Sequence, residues 1–470
     1  MKHDSPDQCR WAEHALLPDG WATQVLLRWN EAGQLTTVTS GVAAPEGTAS
    51  APGPVLPGMP NLHSHAFQRA LAGLTEWRSR EDDSFWSWRA LMYRFANRLT
   101  PPQLQAIATA LYVEMLEAGY TSVCEFHYLH HQPDGRPYAE TAEMSLALLQ
   151  AAQQAGMGLT LLPVLYQSSG FGARAPLPEQ ARFVHETEAL LSLLQRLQPV
   201  CAAHGAQLGL APHSLRAVPP AALQQAVAGL HALDPSAPVH IHLAEQQAEV
   251  QACLDWSGQR PVAWLLDHAP VDARWCLVHA THMDAHEYRE AASRGAVAGL
   301  CPSTEANLGD GVFDFASWQS HGGAWGVGSD SHIAVDPAED LMLLEYSQRL
   351  SRLRRNVAAT AARPEVAEHL WLGAVAGGAQ AAARPVAGLA PGQSADLLVL
   401  DARHPLLDGL KPAQMLASHV FASSRRRAIA EVWRAGQRLV ARNGAAEVSH
   451  RLALQARTAF VQTRRELLSE

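Results

Sequence analysis

Between residues 56 and 388 the chain repeats one pattern: a short apolar run ending in polar residues, then a longer stretch with helical spacing. The apolar runs fall at 56–68, 120–128, 159–166, 207–214, 239–245, 275–282, 296–303 and 324–332. Eight strand-length runs alternating with helices predict an α/β chain folded as a (β/α)8 TIM-like barrel. One connecting helix is fully signalled: Thr100 can cap it, Pro101 suits its first turn, the apolar pattern runs to Leu116, and Gly119 can end it. The pattern changes to alternation near both ends. Residues 24–29 and 35–38 flank a turn at 30–33, while 395–401 and 429–433 read as a second pair with a turn at 434–437. These fragments predict a small β-sandwich domain built from both chain ends, with segments 1–55 and 389–448 around a barrel of 56–388. An exposed amphipathic helix follows at 449–470. Two alanine-rich stretches, 357–362 and 377–383, read as helical, and the aromatic-rich segment 76–95 interrupts the first strand-to-helix connection as a lid, a dimer contact or a core under a long loop.

Composition narrows the class. The chain has 470 residues, 47% hydrophobic and 17% charged, enough to bury a large core, and its formal net charge of -9 argues against a nucleic-acid partner. The polar N-terminus has no apolar signal core and no run of about 18 apolar residues occurs, so a cytoplasmic protein without membrane contact is expected. Cys9, Cys124, Cys201, Cys253, Cys276 and Cys301 show no C-x-x-C spacing and read as reduced thiols. Lysine occurs only at 2 and 411, which excludes a Schiff-base lysine within the barrel.

The polar residues that end the runs carry the candidate chemistry, because strand ends of such a barrel converge on one mouth. His63 and His65 alternate along an extended strand and so share a face. His242 with Glu245, then His279, then Asp330 end later runs. An isolated histidine among 23 is usually structural, but this joint placement is hard to reach by accident. Imidazoles with a carboxylate suit one borderline divalent ion, zinc by preference, although iron, manganese or nickel would accept the same donors.

Four motifs fit together at this point: P-G-M-P-N-L-H-S-H at 57–65, H-L-A-E at 242–245, H-A-T-H at 279–282 and G-S-D-S-H at 328–332, with P-G-Q-S-A-D-L-L-V-L-D at 391–401. The ordered set resembles the amidohydrolase superfamily in its mononuclear deaminase-like branch. That resemblance implies metal ligation by His63, His65, His242 and Asp330. Binuclear members use a carboxylated lysine, usually ending strand four, where this chain has no lysine, so a single metal is implied. It also implies that Asp330 accepts a proton from water, that His279 orients that water, and that Glu245 protonates the substrate nitrogen. His282 reads as structural.

Mouth residues then bear on the substrate. Arg216 can grip a carboxylate with two parallel hydrogen bonds, and Gln68 and Tyr128 add uncharged hydrogen-bonding groups. Arg89 is a second candidate cation; Arg69 reads as a solvated charge. Q-R-A-L-A-G at 68–73, A-P-H-S-L-R at 211–216 and H-I-H-L-A-E-Q at 240–246 most resemble the formimidoylglutamate deiminase family. This implies a small substrate with two carboxylates, a pocket lined by Gln68, Tyr128, His213 and Arg216, and a homodimer. Two alternatives stand beside it: a deaminase acting on a purine, pterin or triazine ring, and a silent barrel serving as a scaffold.

Overall fold

The computed structural model describes residues 8–77, 85–422, 428–442 and 448–469. Parts of the N-terminal segment (1–7) and of the aromatic insertion (78–84), and the last residue of the terminal helix (470), lie outside these described residues. The first strands are β1 (Cys9–Leu17), β2 (Gly20–Trp29), β3 (Leu35–Thr39) and β4 (Val55–Pro57). The barrel strands follow as β5 (Met59–Ser64), β6 (Tyr120–His127), β7 (Gly158–Leu165), β8 (Gln207–Leu208), β9 (Ala211–Pro212), β10 (Val239–Leu243), β11 (Trp275–His279), β12 (Val297–Leu300) and β13 (Ala324–Val327). The chain returns to the first sheet with β14 (Leu397–Leu400), β15 (Ile429–Arg434), β16 (Gln437–Arg442) and β17 (Val448–His450).

Both chain ends build one eight-stranded sheet in the order β17-β16-β15-β14-β4-β1-β2-β3, antiparallel except where β1 runs parallel to β4. β4 joins the two halves, pairing with β14 on one side and β1 on the other. The expected hairpins form as β2–β3 and β15–β16. β1 was hidden in a polar N-terminal stretch; it pairs along its whole length with β2 and buries Ala12, Ala15 and Leu16.

The barrel consists of two parallel ladders, β5 to β8 and β10 to β13. Bridges Leu210–Val239 and Ser214–His242 link its fourth and fifth positions, and Ser64–Asp330 links the last to the first. The fourth strand is interrupted between Leu208 and Ala211, and position 209 admits only glycine, because a Cβ there would stand 2.5 Å from the Pro238 carbonyl oxygen. The seventh run is shorter than expected: β12 stops at Leu300 and Pro302 opens the helix Pro302–Leu308. Thr100 caps the helix Pro101–Ala118 in a reciprocal box with Gln103, and Gly119 ends it at φ 103°.

Two readings are corrected. Residues 357–362 are not helical: the Glu345 carboxylate accepts the N–H groups of Val357 and Ala358 at 2.9 Å, so they bond a side chain instead of a helical carbonyl. Arg69 is not a free charge; it pairs with Glu114 at 2.8 Å and donates to the His332 carbonyl at 2.7 Å. By contrast, 377–382 completes the helix Val366–Ala382. No described helix is long and apolar enough to cross a membrane, and all six cysteines are free and buried.

Asp340, in the helix Pro337–Arg352, shows how the core responds to pH. It is fully buried, accepts from Ser303 N at 3.1 Å and Tyr120 Oη at 3.0 Å, and burial pushes its carboxyl up to about 7. A carboxyl raised by folding binds its proton more tightly in the folded state. Its stabilising contribution is therefore complete below the unfolded value near 4 and is lost as pH rises through about 7. Asp340→Asn keeps the acceptor for Ser303 N and presents an amide donor to Tyr120 Oη, so both contacts persist, the second with its direction reversed, without the charge. Its melting temperature should gain on the wild type as pH rises from 4 to 8, and a difference independent of pH would contradict the assignment.

Candidate active site

The candidate metal donors come from three strand ends. Extended backbone at the end of β5 places His63 and the next residue but one, His65, on one face, β10 supplies His242, and the turn after β13 supplies Asp330. Gly328 makes this junction possible, since a Cβ there would lie 2.8 Å from the His63 backbone nitrogen and Cβ. Without that obstruction Asp330 N donates to the His63 carbonyl at 3.0 Å and His65 N donates to the Asp330 carbonyl at 3.2 Å. Non-glycine residues with left-handed backbone gather here: Ala244 at φ 49°, His279 at 64°, Ala280 at 47°, Asp330 at 45° and His332 at 59°. Each such turn costs about 1–3 kcal/mol, tolerated where the surrounding structure fixes it.

The donor atoms fit a metal. His63 Nε2 stands 3.2 Å from His65 Nε2 and 3.0 Å from His242 Nε2, while Asp330 Oδ1 is 3.5 Å from the first and 3.4 Å from the second. A tetrahedral ion with bonds of about 2.0–2.1 Å has donors about 3.3 Å apart. Tautomers agree: His65 Nδ1 donates to the Phe126 carbonyl at 2.9 Å and His242 Nδ1 to the His213 carbonyl at 3.1 Å, so both Nε2 atoms present lone pairs. Burial lowers His63 to about 3, keeping it neutral as well. The lone pairs of His65 and His242 face inward beside the neutral His63 ring, and a cation between them would relieve their mutual repulsion. Chelation should therefore lower the melting temperature by several degrees as well as remove activity, and added zinc should restore both.

The other candidates surround this cluster. His279 Nε2 is 3.7 Å from Asp330 Oδ2 and 3.9 Å from Glu245 Oε1, and its Nδ1 is 3.3 Å from Glu305 Oε1. Burial alone would lower the His279 imidazole, but Glu245, Glu305 and Asp330 outweigh it and raise it to about 10; a dication nearby would draw it back down. Burial pushes the Glu245 carboxyl up, against the opposing pull of His279 and Arg216. Arg216 lies between two carboxylates without touching either, at 3.9 Å from Glu245 Oε2 and 3.7 Å from Glu249 Oε1. Its Nε has no hydrogen-bond partner among the described residues.

One pocket joins these groups. His65, His242, His279, Glu245 and Asp330 form its floor; Gln68, Tyr128, His213 and Arg216 line its sides. Gln68 Nε2 donates to Tyr128 Oη at 2.9 Å, which leaves the buried Gln68 Oε1 without a partner among the described residues. The aromatic insertion forms a wall: in the helix Phe85–Ala96, Trp88, Arg89, Met92 and Tyr93 lie at helical spacing along the pocket. Trp77, before that helix, is 78% exposed. Sequence reasoning missed Glu305 and Glu249, acids one helical turn past a strand end that resemble surface charges, and Tyr166, which ends the third run. His282 stays out of the pocket, its ring between the Asp310 carbonyl and the Gln247 side chain, both at 2.8 Å.

Comparison with known proteins decides the family, because residues 55–439 match the amidohydrolase family. The chain belongs to that family. This amidohydrolase is 50% identical to formimidoylglutamate deiminase of Pseudomonas aeruginosa over 97% of its own length and 99% of that protein's. It is 30% identical to 8-oxoguanine deaminase of the same organism over 73% of each chain. Among solved structures it is similar to an amidohydrolase from Brucella melitensis, with 46% identity, a TM-score of 0.92, and 98% of this chain and 100% of that chain covered.

Proposed function

We propose that this amidohydrolase hydrolyses N-formimidoyl-L-glutamate to N-formyl-L-glutamate and ammonia, a step of histidine degradation. The observation that carries the reading is the 50% identity, across nearly the whole chain, to a formimidoylglutamate deiminase. The pocket supports it: Arg216 and Arg89 beside the metal donors suit a small substrate with two carboxylates, whereas a neutral ring such as 8-oxoguanine offers them carbonyl oxygens but no opposite charge.

In this reading His63, His65, His242 and Asp330 hold one metal ion, which we assign as zinc. The ion, when bound, supplies the Lewis acidity that makes water a competent nucleophile near neutral pH. Asp330 accepts the proton that the attacking water gives up. His279, braced through Nδ1 by Glu305, orients that water from the side facing Asp330 Oδ2. Glu245, whose carboxyl burial pushes up, transfers a proton to the imino nitrogen. As the C–N bond breaks, Asp330 delivers the proton it took to the departing ammonia, the remaining hydroxyl proton passes to Glu245 and restores its acid form, and the carbon keeps the water's oxygen as the formyl group. Gln68, Tyr128, His213, Arg89 and Arg216 hold the substrate. Pairing of two copies belongs to the same proposal but is not needed for these steps, since every group named comes from one chain.

The test is ammonia release by protein of measured metal content, with N-formimidoyl-L-aspartate, guanine and adenosine alongside. Activity confined to ring substrates would overturn the reading. Arg216→Met should raise KM for the glutamate compound about 10- to 100-fold with kcat nearly unchanged, the loss expected for a charged hydrogen-bonded pair. An unchanged KM would remove Arg216 from the binding role.

A further inference from the structure

The 3-10 turn Pro178–Phe183, which follows the third barrel strand, sends two polar side chains inward, Gln180 and Arg182. Gln180 is fully buried. Its Oε1 accepts the Leu177 N–H at 2.9 Å, which fixes the amide orientation and leaves Nε2 as a pure donor facing two phenols. Nε2 donates to Tyr93 Oη at 3.0 Å and to Tyr166 Oη at 2.8 Å. Arg89 reaches the same two oxygens from the pocket side, Nε to Tyr93 and Nη2 to Tyr166 at 3.3 Å. Its guanidinium also lies over the Tyr93 ring, 5.1 Å from the centroid.

Gln180 and Arg89 can only donate to these oxygens, so neither phenolic hydrogen can point at them. Each oxygen already accepts two hydrogen bonds, so the phenolic hydrogens are left for acceptors in the pocket, which both rings line. The same turn grips the helix that carries Arg89. Arg182 donates to the carbonyls of Ala96 and Leu99, and the Glu179 carbonyl accepts from Asn97 Nδ2 at 2.9 Å. Besides closing its own turn on Leu177, Gln180 is placed to set the hydrogen-bond polarity of the two tyrosines.

The geometry points to Gln180 as a positioning residue for substrate selection. By donating to Tyr93 and Tyr166 it fixes Arg89 and turns a phenolic hydrogen toward the pocket, building a donor-only niche for one of the substrate's two carboxylates. This rests on the reading that the substrate is N-formimidoyl-L-glutamate. The niche touches the bound carboxylate and not the formimidoyl carbon, so its loss should appear in KM.

The test compares wild type, Gln180→Leu, Arg89→Met and the double variant on N-formimidoyl-L-glutamate and two analogues lacking one carboxylate each, N-formimidoyl-4-aminobutyrate and N-formimidoyl-L-2-aminobutyrate. Gln180→Leu should raise KM for the glutamate compound about tenfold or more with kcat changed less than about threefold. It should leave one analogue, the one missing the carboxylate the niche holds, with an unaltered KM. The double variant should be no worse than Arg89→Met, because both changes remove one interaction. If Gln180→Leu does not fold, Tyr166→Phe keeps the ring, removes the shared hydroxyl and should give the same pattern. Equal losses on all three substrates, or losses that multiply with those of Arg89→Met, would overturn the role while leaving the reaction intact. A wild type inert toward the glutamate compound would overturn both, and would show it before any variant is measured.

Discussion

Asp330→Asn is expected to lower kcat about 10^4-fold while leaving part of the bound metal in place. Asparagine has nearly the same shape but neither the charge to complete the donor set nor the basicity to take a proton from water. The imidazoles of His63, His279 and His65 outweigh the cost of burial and hold the Asp330 carboxyl well below its usual range, so it is ionised throughout the neutral region. Three imidazoles remain in the variant, and their 3.0–3.2 Å separations should still retain an ion. The measurement is kcat against metal content in increasing zinc. Activity that returns as zinc saturates the site would reduce Asp330 to a ligand; activity that stays absent at full occupancy makes it the proton acceptor as well.

The candidate metal site was legible in the sequence and its supporting shell was not, for a physical reason. A barrel strand announces itself as an apolar run, and the residue ending it must be polar because it meets the mouth; His63, His65, His242, His279 and Asp330 stand out on that basis alone. Glu305 and Glu249 lie in helices that begin after the strands, where an acid every few residues is the ordinary signature of a solvated face. Only the chain's path shows that the Cys301 N–H at 2.8 Å turns Glu305 back toward His279. The same limit explains Gln180, which sits in a segment without periodicity. It also explains Arg69: its partners, Glu114 and the His332 carbonyl, are 45 and 263 positions away. The fold was read more completely than the site, because alternation and helical spacing are local properties. Where tertiary contacts replaced local ones, as when Glu345 took the amides of Val357 and Ala358, local reading failed.

Glu245→Gln is the second large expected loss, about 10^2- to 10^4-fold in kcat, and its interest lies in what KM does. Glutamine can still donate a hydrogen bond from the same position but cannot give up a proton, so a pure proton-transfer role leaves KM near the wild-type value. The structure offers a competing route. Glu245 Oε2 is 3.9 Å from Arg216 Nη2, and replacing its carboxyl with an amide leaves the guanidinium biased toward Glu249, 3.7 Å from Arg216 Nε. If that shift withdraws Arg216 from the substrate carboxylate, KM rises in step with the fall in kcat. The double variant Glu245→Gln/Arg216→Met separates the two. Independent roles multiply, giving the kcat of one single variant and the KM of the other. A double variant whose KM matches that of Glu245→Gln alone would mean that the acid acts by holding the arginine. We expect multiplication, because neither distance to Arg216 is within hydrogen-bond reach and the guanidinium keeps its donors for the substrate.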